Sequence, residues 1–207
     1  MQGSQWGRHQ EIAAENNQYC LSMFPGDKES LNNRLWQLAR NTHLCLLYES
    51  PEDQMSTVIP FLQSGLAHHE RCLYVFDETR PETIHSALQE AGVNVESFID
   101  SGQLAFASSD DVYLAGGRFE PGRMLDLIQR TSQEALEMGY QSLRLTGEMT
   151  WALKGAPGTE RLNEYEAKIN LSITDSSWLA LCQYNLNRFQ PDILLDAIRT
   201  HPYVIQK

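Results

Sequence analysis

Five short apolar runs alternate with five helix-patterned stretches between residues 43 and 200, and few folds accommodate that order. The runs are HLCLLYE (43–49), CLYVFD (72–77), QLAFAS (103–108), SLRLTGE (142–148) and WLALCQY (178–184). A nearly continuous apolar run of this length belongs to a strand buried on both faces. The stretches between them carry helix-start signals. Ser50-Pro51-Glu52-Asp53 reads as a cap, a proline at the first helical position and an acid placed to reach back. The helix it opens carries Met55, Val58, Ile59 and Leu62, and Pro60 is expected to kink it. Thr79-Arg80-Pro81-Glu82 is a second capping signature, ahead of Ile84, Ala87, Leu88 and Ala91, with Gly92 as the stop. Pro121 opens a helix through Met124, Ile128, Thr131, Ala135 and Met138, which Gly139 ends. Thr159 opens one through Leu162, Tyr165 and Ile169. Pro191 opens the last, with Ile193, Leu194, Ala197 and Ile198, ending near His201-Pro202. Strands alternating with helices predict an α/β fold, a parallel sheet covered on both faces in three layers.

Upstream, Ser30 reads as the cap of a helix whose Leu31, Leu35 and Leu38 form a docking stripe. Residues 1–28 are polar and aperiodic and are expected to be a flexible tail, leaving 29–207 as one domain.

The charge balance excludes several partners. Twenty-seven acidic residues face 16 basic ones, a net charge of -11. Lys28, Lys154, Lys168 and Lys207 are the four lysines, and they are scattered. Direct nucleic-acid binding needs clustered Lys and Arg, and an anionic membrane would repel this surface. No apolar run approaches the roughly 18 residues of a spanning helix. The opening MQGSQWGRHQ has no apolar core of a signal peptide. Cys45, Cys72 and Cys182 sit in apolar runs as buried thiols do, Cys20 stands apart, and no two cysteines are spaced as a zinc or redox pair. The expectation is a reduced, cytoplasmic protein.

In an open parallel sheet, ligands bind outside the carboxyl ends of the strands. That rule selects Tyr48, Glu49 and Ser50; Asp77 and Glu78; Ser108 to Asp111; Gly147, Glu148, Met149 and Trp151; and Tyr184 with Asn185. The turn after the first strand, Glu49 to Ser56, holds no glycine and no lysine, so it lacks a phosphate cradle. The dinucleotide fingerprint is absent too, and no cofactor is expected. His43 and Cys45, two apart on a strand, share a face. With Cys182 on a neighbouring strand they would make a His/Cys/Cys cluster suited to zinc or iron. A buried histidine with two core thiols is the preferred reading, so no metal is expected. Glu148 at a strand end is either an acid/base or ligand acceptor, or a cap on a neighbouring backbone segment; the two stay open. Arg144 inside a strand needs a carboxylate. Glu148 is about 13 Å away along an extended chain, so Glu49, Glu164 or Glu166 are the expected partners. Glu166 shares a helix face with Leu162, Tyr165 and Ile169 and is placed to lean inward, although a solvated acidic face is the plainer reading. Tyr184 and Cys182 share a face with Trp178 and Ala180. His68-His69-Glu70 reads as a surface turn. No serine-hydrolase elbow, HExxH or calcium loop occurs, and no catalytic residue is assigned.

Several segments together resemble the MEDS domain, the methanogen and methylotroph sensory domain of the DcmR type. They are His43-Leu44-Cys45 through Tyr48-Glu49, Pro60-Phe61-Leu62 with Gly65-Leu66, and Glu70 through Val75. Leu143 through Met149 with Trp151-Ala152, Glu164-Tyr165-Glu166, Cys182-Gln183-Tyr184, Arg188-Phe189 and His201-Pro202 complete the set, which spans about 40–205. The resemblance implies a RecA-like or KaiC-like sheet without a P-loop, serving prokaryotic signal transduction or transcription regulation by sensing small hydrocarbon derivatives. Members of that family often adjoin a kinase or a helix-turn-helix module. The sequence here carries neither, so the output is expected to pass through a signalling partner protein, a kinase or regulator.

The expectation is therefore a non-catalytic sensor that binds a small, largely apolar molecule at the carboxyl edge of the sheet. The candidate ligand-binding residues are His43, Tyr48, Glu49, Arg144, Glu148, Trp151, Glu166, Cys182 and Tyr184. An enzyme using Glu148 or a metal at His43 and Cys45 is the alternative, with a scaffold or oligomerisation module as the third. A homo-oligomer is compatible with all three.

Overall fold

The computed structural model describes residues 22–23 and 28–207. The expected tail at 1–28 lies almost wholly outside the described residues. The order is β1 (Ser22–Met23), α1 (Lys28–Trp36), β2 (His43–Tyr48), α2 (Pro51–Ala67), β3 (Arg71–Phe76), α3 (Pro81–Glu90), α4 (Val95–Asp100) and β4 (Leu104–Ser108). Then follow α5 (Ser109–Val112), α6 (Pro121–Glu137), β5 (Leu143–Glu148), α7 (Leu162–Ile173), β6 (Trp178–Asn185), α8 (Pro191–Thr200) and β7 (Tyr203–Gln206). The described strands form one seven-stranded sheet, β1-β7-β2-β6-β5-β3-β4, in which every pairing is parallel. No described helix is long and apolar enough to cross a membrane.

Alternation along the strands divides the core into two layers. Leu44, Leu46, Cys72, Tyr74, Leu179 and Leu181 pack with Leu31 and Leu35 of α1, Val58, Phe61 and Leu62 of α2, and Ile84 and Leu88 of α3. Cys45, Leu47, Leu145, Ala180, Cys182 and Tyr184 pack with Met124 and Ile128 of α6, Tyr165 and Ile169 of α7 and Ala197 of α8. The sequence signals explain most helix starts. Ser50 Oγ accepts from the Asp53 N–H at 3.1 Å, and the Ser50 N–H donates to Asp53 Oδ2 at 3.2 Å, closing the capping box read from the sequence.

Pro60 lies within α2, which runs unbroken to Ala67. Three local expectations are corrected. Ser30 lies inside α1, which begins at Lys28. The cap of α3 is Arg80, which makes no side-chain cap bond, while Thr79 donates instead to Gln54 Oε1 at 3.3 Å. The segment after Gly158 (φ 92°) first makes a 3-10 turn, Thr159–Arg161, and becomes α-helical at Leu162. Four short elements, β1, α4, α5 and β7, are not evident in the sequence. Each has too few residues for periodicity to register, and β7 lies between β1 and β2 in the sheet.

Candidate functional site

Strand parity and register build one buried polar cluster on the α7/α8 side of the sheet. His43 opens β2, and Cys45, two residues on, is level with Cys182 of β6. His43 and Cys182 therefore point to the same side, toward α7. There Glu166 lies on the inward face with Leu162, Tyr165 and Ile169, all buried. His201, where α8 ends, enters from the far side. Oε2 of Glu166 lies 3.2 Å from Nε2 of His43, 3.5 Å from Nε2 of His201 and 3.5 Å from Sγ of Cys182. Cys182 Sγ is also 3.5 Å from His43 Nε2. Tyr184 donates its hydroxyl to Oε1 of Glu166. The two imidazoles lie with ring centroids 4.0 Å apart.

The cluster is almost wholly shielded from water, which sets its electrostatics. Burial alone pushes the Glu166 carboxyl up. The charges of His201 and His43 and the hydrogen bonds from His43 and Tyr184 outweigh that penalty and hold it below the ordinary carboxylate value. Burial, reinforced by His43, pushes His201 down to about 4 against the pull of Glu166, so its ring is neutral at neutral pH. Burial and the Glu166 charge push the thiol of Cys182 well up. Each imidazole is fixed through its other nitrogen. Asn170 donates its amide to the Thr200 carbonyl, which turns Oδ1 toward His43 Nδ1 at 2.9 Å. His201 Nδ1 faces the Ala197 carbonyl at 2.7 Å. Both Nδ1 atoms therefore donate, which turns both Nε2 atoms toward Glu166.

Above this cluster lies a cavity of about 270 Å³, between the 3-10 segment Met149–Lys154, α7 and α8. Leu153, Leu162, Phe189, Ile193 and Ala197 give it an apolar wall; Asn163 and Asp196 are its polar rim, and Glu166 and Tyr184 are its floor. A pocket with mostly apolar lining and a few convergent polar groups suits a small organic molecule.

The nine expected site residues do not converge. The structure brings His43, Glu166, Cys182 and Tyr184 together. Tyr48 is level with Asn185 and so faces the opposite layer from Tyr184. Glu49 is exposed and offers its carbonyl to Asn187. Arg144 also lies on the other layer, where its partner is none of the three carboxylates expected. Its Nε donates to Oε2 of Glu70 at 2.5 Å, its Nη1 to the Phe61 carbonyl at 3.1 Å, and its guanidinium lies 4.7 Å over the Phe61 ring. Glu148 is a backbone cap. It accepts from Tyr74 Oη at 2.7 Å and from the N–H groups of Asp77, Glu78 and Thr79 at 3.2, 2.7 and 3.0 Å, which fixes the turn after β3. Trp151 is fully buried, stacks on Tyr113 (4.6 Å, 14°) and meets Phe119 at a tilt (4.4 Å, 45°), next to the cavity but not in its wall.

The sequence marked His201 as a helix end and as part of the family resemblance but not among the nine site residues, and it gave no sign of Asn170. The available signal was a histidine directly after an amphipathic helix whose apolar face must meet the sheet. Cys45 does not join the cluster, although it is level with Cys182.

A family model described as the MEthanogen/methylotroph, DcmR Sensory domain (MEDS) matches residues 42–202. The transcriptional repressor DcmR of Methylorubrum extorquens (strain DSM 6343 / CIP 106787 / DM4) is 29% identical over 167 residues, covering 79% of this chain and 59% of that protein. The chain thus spans about three-fifths of the length of that curated relative. A KaiC-like protein of the hyperthermophilic archaeon Pyrococcus horikoshii OT3 has the same fold, with a TM-score of 0.52 at 15% identity over 72% of this chain and 62% of that one.

Proposed function

We infer that this chain, which belongs to the MEDS family of sensory domains, is the ligand-sensing part of a prokaryotic transcriptional regulator. The carrying observation is the 270 Å³ cavity with an apolar wall and a floor of Glu166 and Tyr184. A small, largely apolar molecule with one hydrogen-bonding group fits that lining: the wall takes the hydrocarbon part, and the Glu166–Tyr184 pair takes the polar end. The similarity to a transcriptional repressor supports a regulatory output. With 27 acidic against 16 basic residues, this domain is suited to signal through a partner protein and not by touching DNA itself. No catalytic turnover is part of this reading.

The cavity wall is assembled from α7, α8 and the two 3-10 segments. A guest that binds one arrangement of α7 and α8 better than another shifts their population and thereby the surface they present. Calorimetric titration with a panel of small oxygenated and halogenated hydrocarbons tests this. Saturable heat in the wild type and its loss in Ala152→Phe, which fills the cavity, is the expected result. Equal heats from both proteins, or none from the wild type, would refute it.

A further inference from the structure

We propose that His43 Nε2, Glu166 Oε2, Cys182 Sγ and His201 Nε2 bind one divalent transition-metal ion of the zinc type, a proposal that rests on the same cavity floor as the sensory reading. The first argument is orientation. The Nδ1 atoms of the two histidines are engaged by Asn170 Oδ1 and the Ala197 carbonyl. Both Nε2 atoms are thereby turned toward Oε2 of Glu166, at 3.2 and 3.5 Å. His201 Nε2 is fully buried and without a hydrogen-bond partner, where such an atom is costly. A cation among these atoms would bond to all three.

The second argument is spacing. A tetrahedral ion with nitrogen and oxygen ligands at about 2.1 Å and sulfur at about 2.3 Å holds its donors about 3.3–3.6 Å apart. The four separations named above run from 3.2 to 3.5 Å, and all four donors lie within 4.8 Å of one another. The third is charge. A thiolate and a carboxylate together offset the two charges of the ion, so a buried site ends neutral. Binding breaks the S–H bond of Cys182, forms a metal–sulfur bond and releases the proton to solvent. Imidazole, carboxylate and thiolate donors together suit zinc, cobalt or ferrous iron over magnesium or calcium. The orienting bonds from Asn170 and Ala197 to the two imidazoles, and from Tyr184 to Glu166, are what such a ligand set requires around it. The cavity above Glu166 gives the ion its way in.

The test uses the whole chain, stripped with a chelator and then dialysed against Co(II) or Zn(II). Expected is about one ion per chain, thiolate-to-cobalt charge-transfer absorption with intense visible bands, and a higher unfolding temperature with zinc. Cys182→Ser is expected to lose the charge-transfer band, whereas Cys45→Ser, at the same depth on the next strand, keeps it. If Cys182→Ser does not fold, His201→Gln carries the comparison, with an expected loss of at least about tenfold in affinity. A folded wild type that takes up neither ion would overturn the proposal, as would a band that disappears in Cys45→Ser and survives in Cys182→Ser. A protein that takes up organic probes but no metal overturns this proposal alone, and the sensory reading stands.

Discussion

Nε2 of His43 lies 3.2 Å from Oε2 of Glu166, so the first residue of a central strand meets the middle of a covering helix inside the core. Both side chains are almost fully buried, and His201, Cys182 and Tyr184 surround the pair. Buried polar groups of this kind are retained when they are mutually satisfied, and removing one member leaves the rest uncompensated. The 270 Å³ cavity lies above Glu166, so its floor is set by the fold.

Acid weakens the fold through this cluster. The unfolded chain protonates His201 near 6.5, whereas the folded ring, facing His43, Glu166 and Tyr184, resists until about 4. Unfolding therefore takes up a proton in that window, and stability, full above 6.5, is lost progressively as pH falls toward 4. The lowered Glu166 acts in the same direction, since its ionised form supports the fold until pH falls through its folded value. Each tenfold difference in proton affinity between folded and unfolded chain is worth about 1.4 kcal/mol, which bounds the His201 share at about 3 kcal/mol. Urea unfolding of metal-free protein at pH 7, 6 and 5 is expected to show falling midpoints, with a shallower slope in His201→Gln. An unchanged slope removes His201 from this role.

Arg144 and Glu70 form the structural ion pair of the opposite layer, 1% and 8% exposed. Glu70→Ala leaves the guanidinium buried without a carboxylate partner, hydrogen-bonded to the Phe61 carbonyl, and a loss of about 3–5 kcal/mol is expected. The double change Glu70→Leu with Arg144→Met is expected to recover most of it. Chemical denaturation of the two variants checks both statements.

Glu148 holds three consecutive N–H groups of the turn after β3. Glu148→Gln keeps the shape but removes the charge, with an expected loss of about 1.5–3 kcal/mol. Faster amide exchange at Asp77, Glu78 and Thr79, with the Glu166 side of the sheet unaltered, is the accompanying signature. If Glu148 belongs to the ligand site instead, the variant loses ligand binding while these amides stay protected.

Gly147 has no side chain because none fits. A Cβ there would run into the hydroxyl of Tyr113, which stacks on Trp151. Gly147→Ala is expected to cost about 1–3 kcal/mol by overpacking and to disturb the near-ultraviolet signal of Trp151. Gly122→Ala, which meets nothing within 4 Å, gives the comparison on an exposed helix start.

The five strands β2 to β6, their order of appearance and both 17-residue helices were legible because buried runs and proline-led starts leave strong local signals. His43, Cys45 and Cys182 were also legible as one face, since strand period fixes parity. Register was not. Leu47, not Tyr48, is level with Tyr184, and that single step puts the two tyrosines on opposite sides of the sheet. No local pattern specifies such an offset between strands far apart in sequence. Arg144 found Glu70 because the corner between α2 and β3 closes over β5, a contact that sequence spacing does not encode. The same holds for the place of His201 in the cluster: its neighbours come from β2, α7 and β6.

Hydrogen–deuterium exchange with a saturating small organic guest, identified by the calorimetric panel, tests most directly whether the cavity on the α7/α8 side is the sensing site. Protection concentrated in 149–166 and 189–197, with the opposite layer around 50–62 and 77–90 unchanged, is the expected result. Protection confined to that opposite layer would contradict the account.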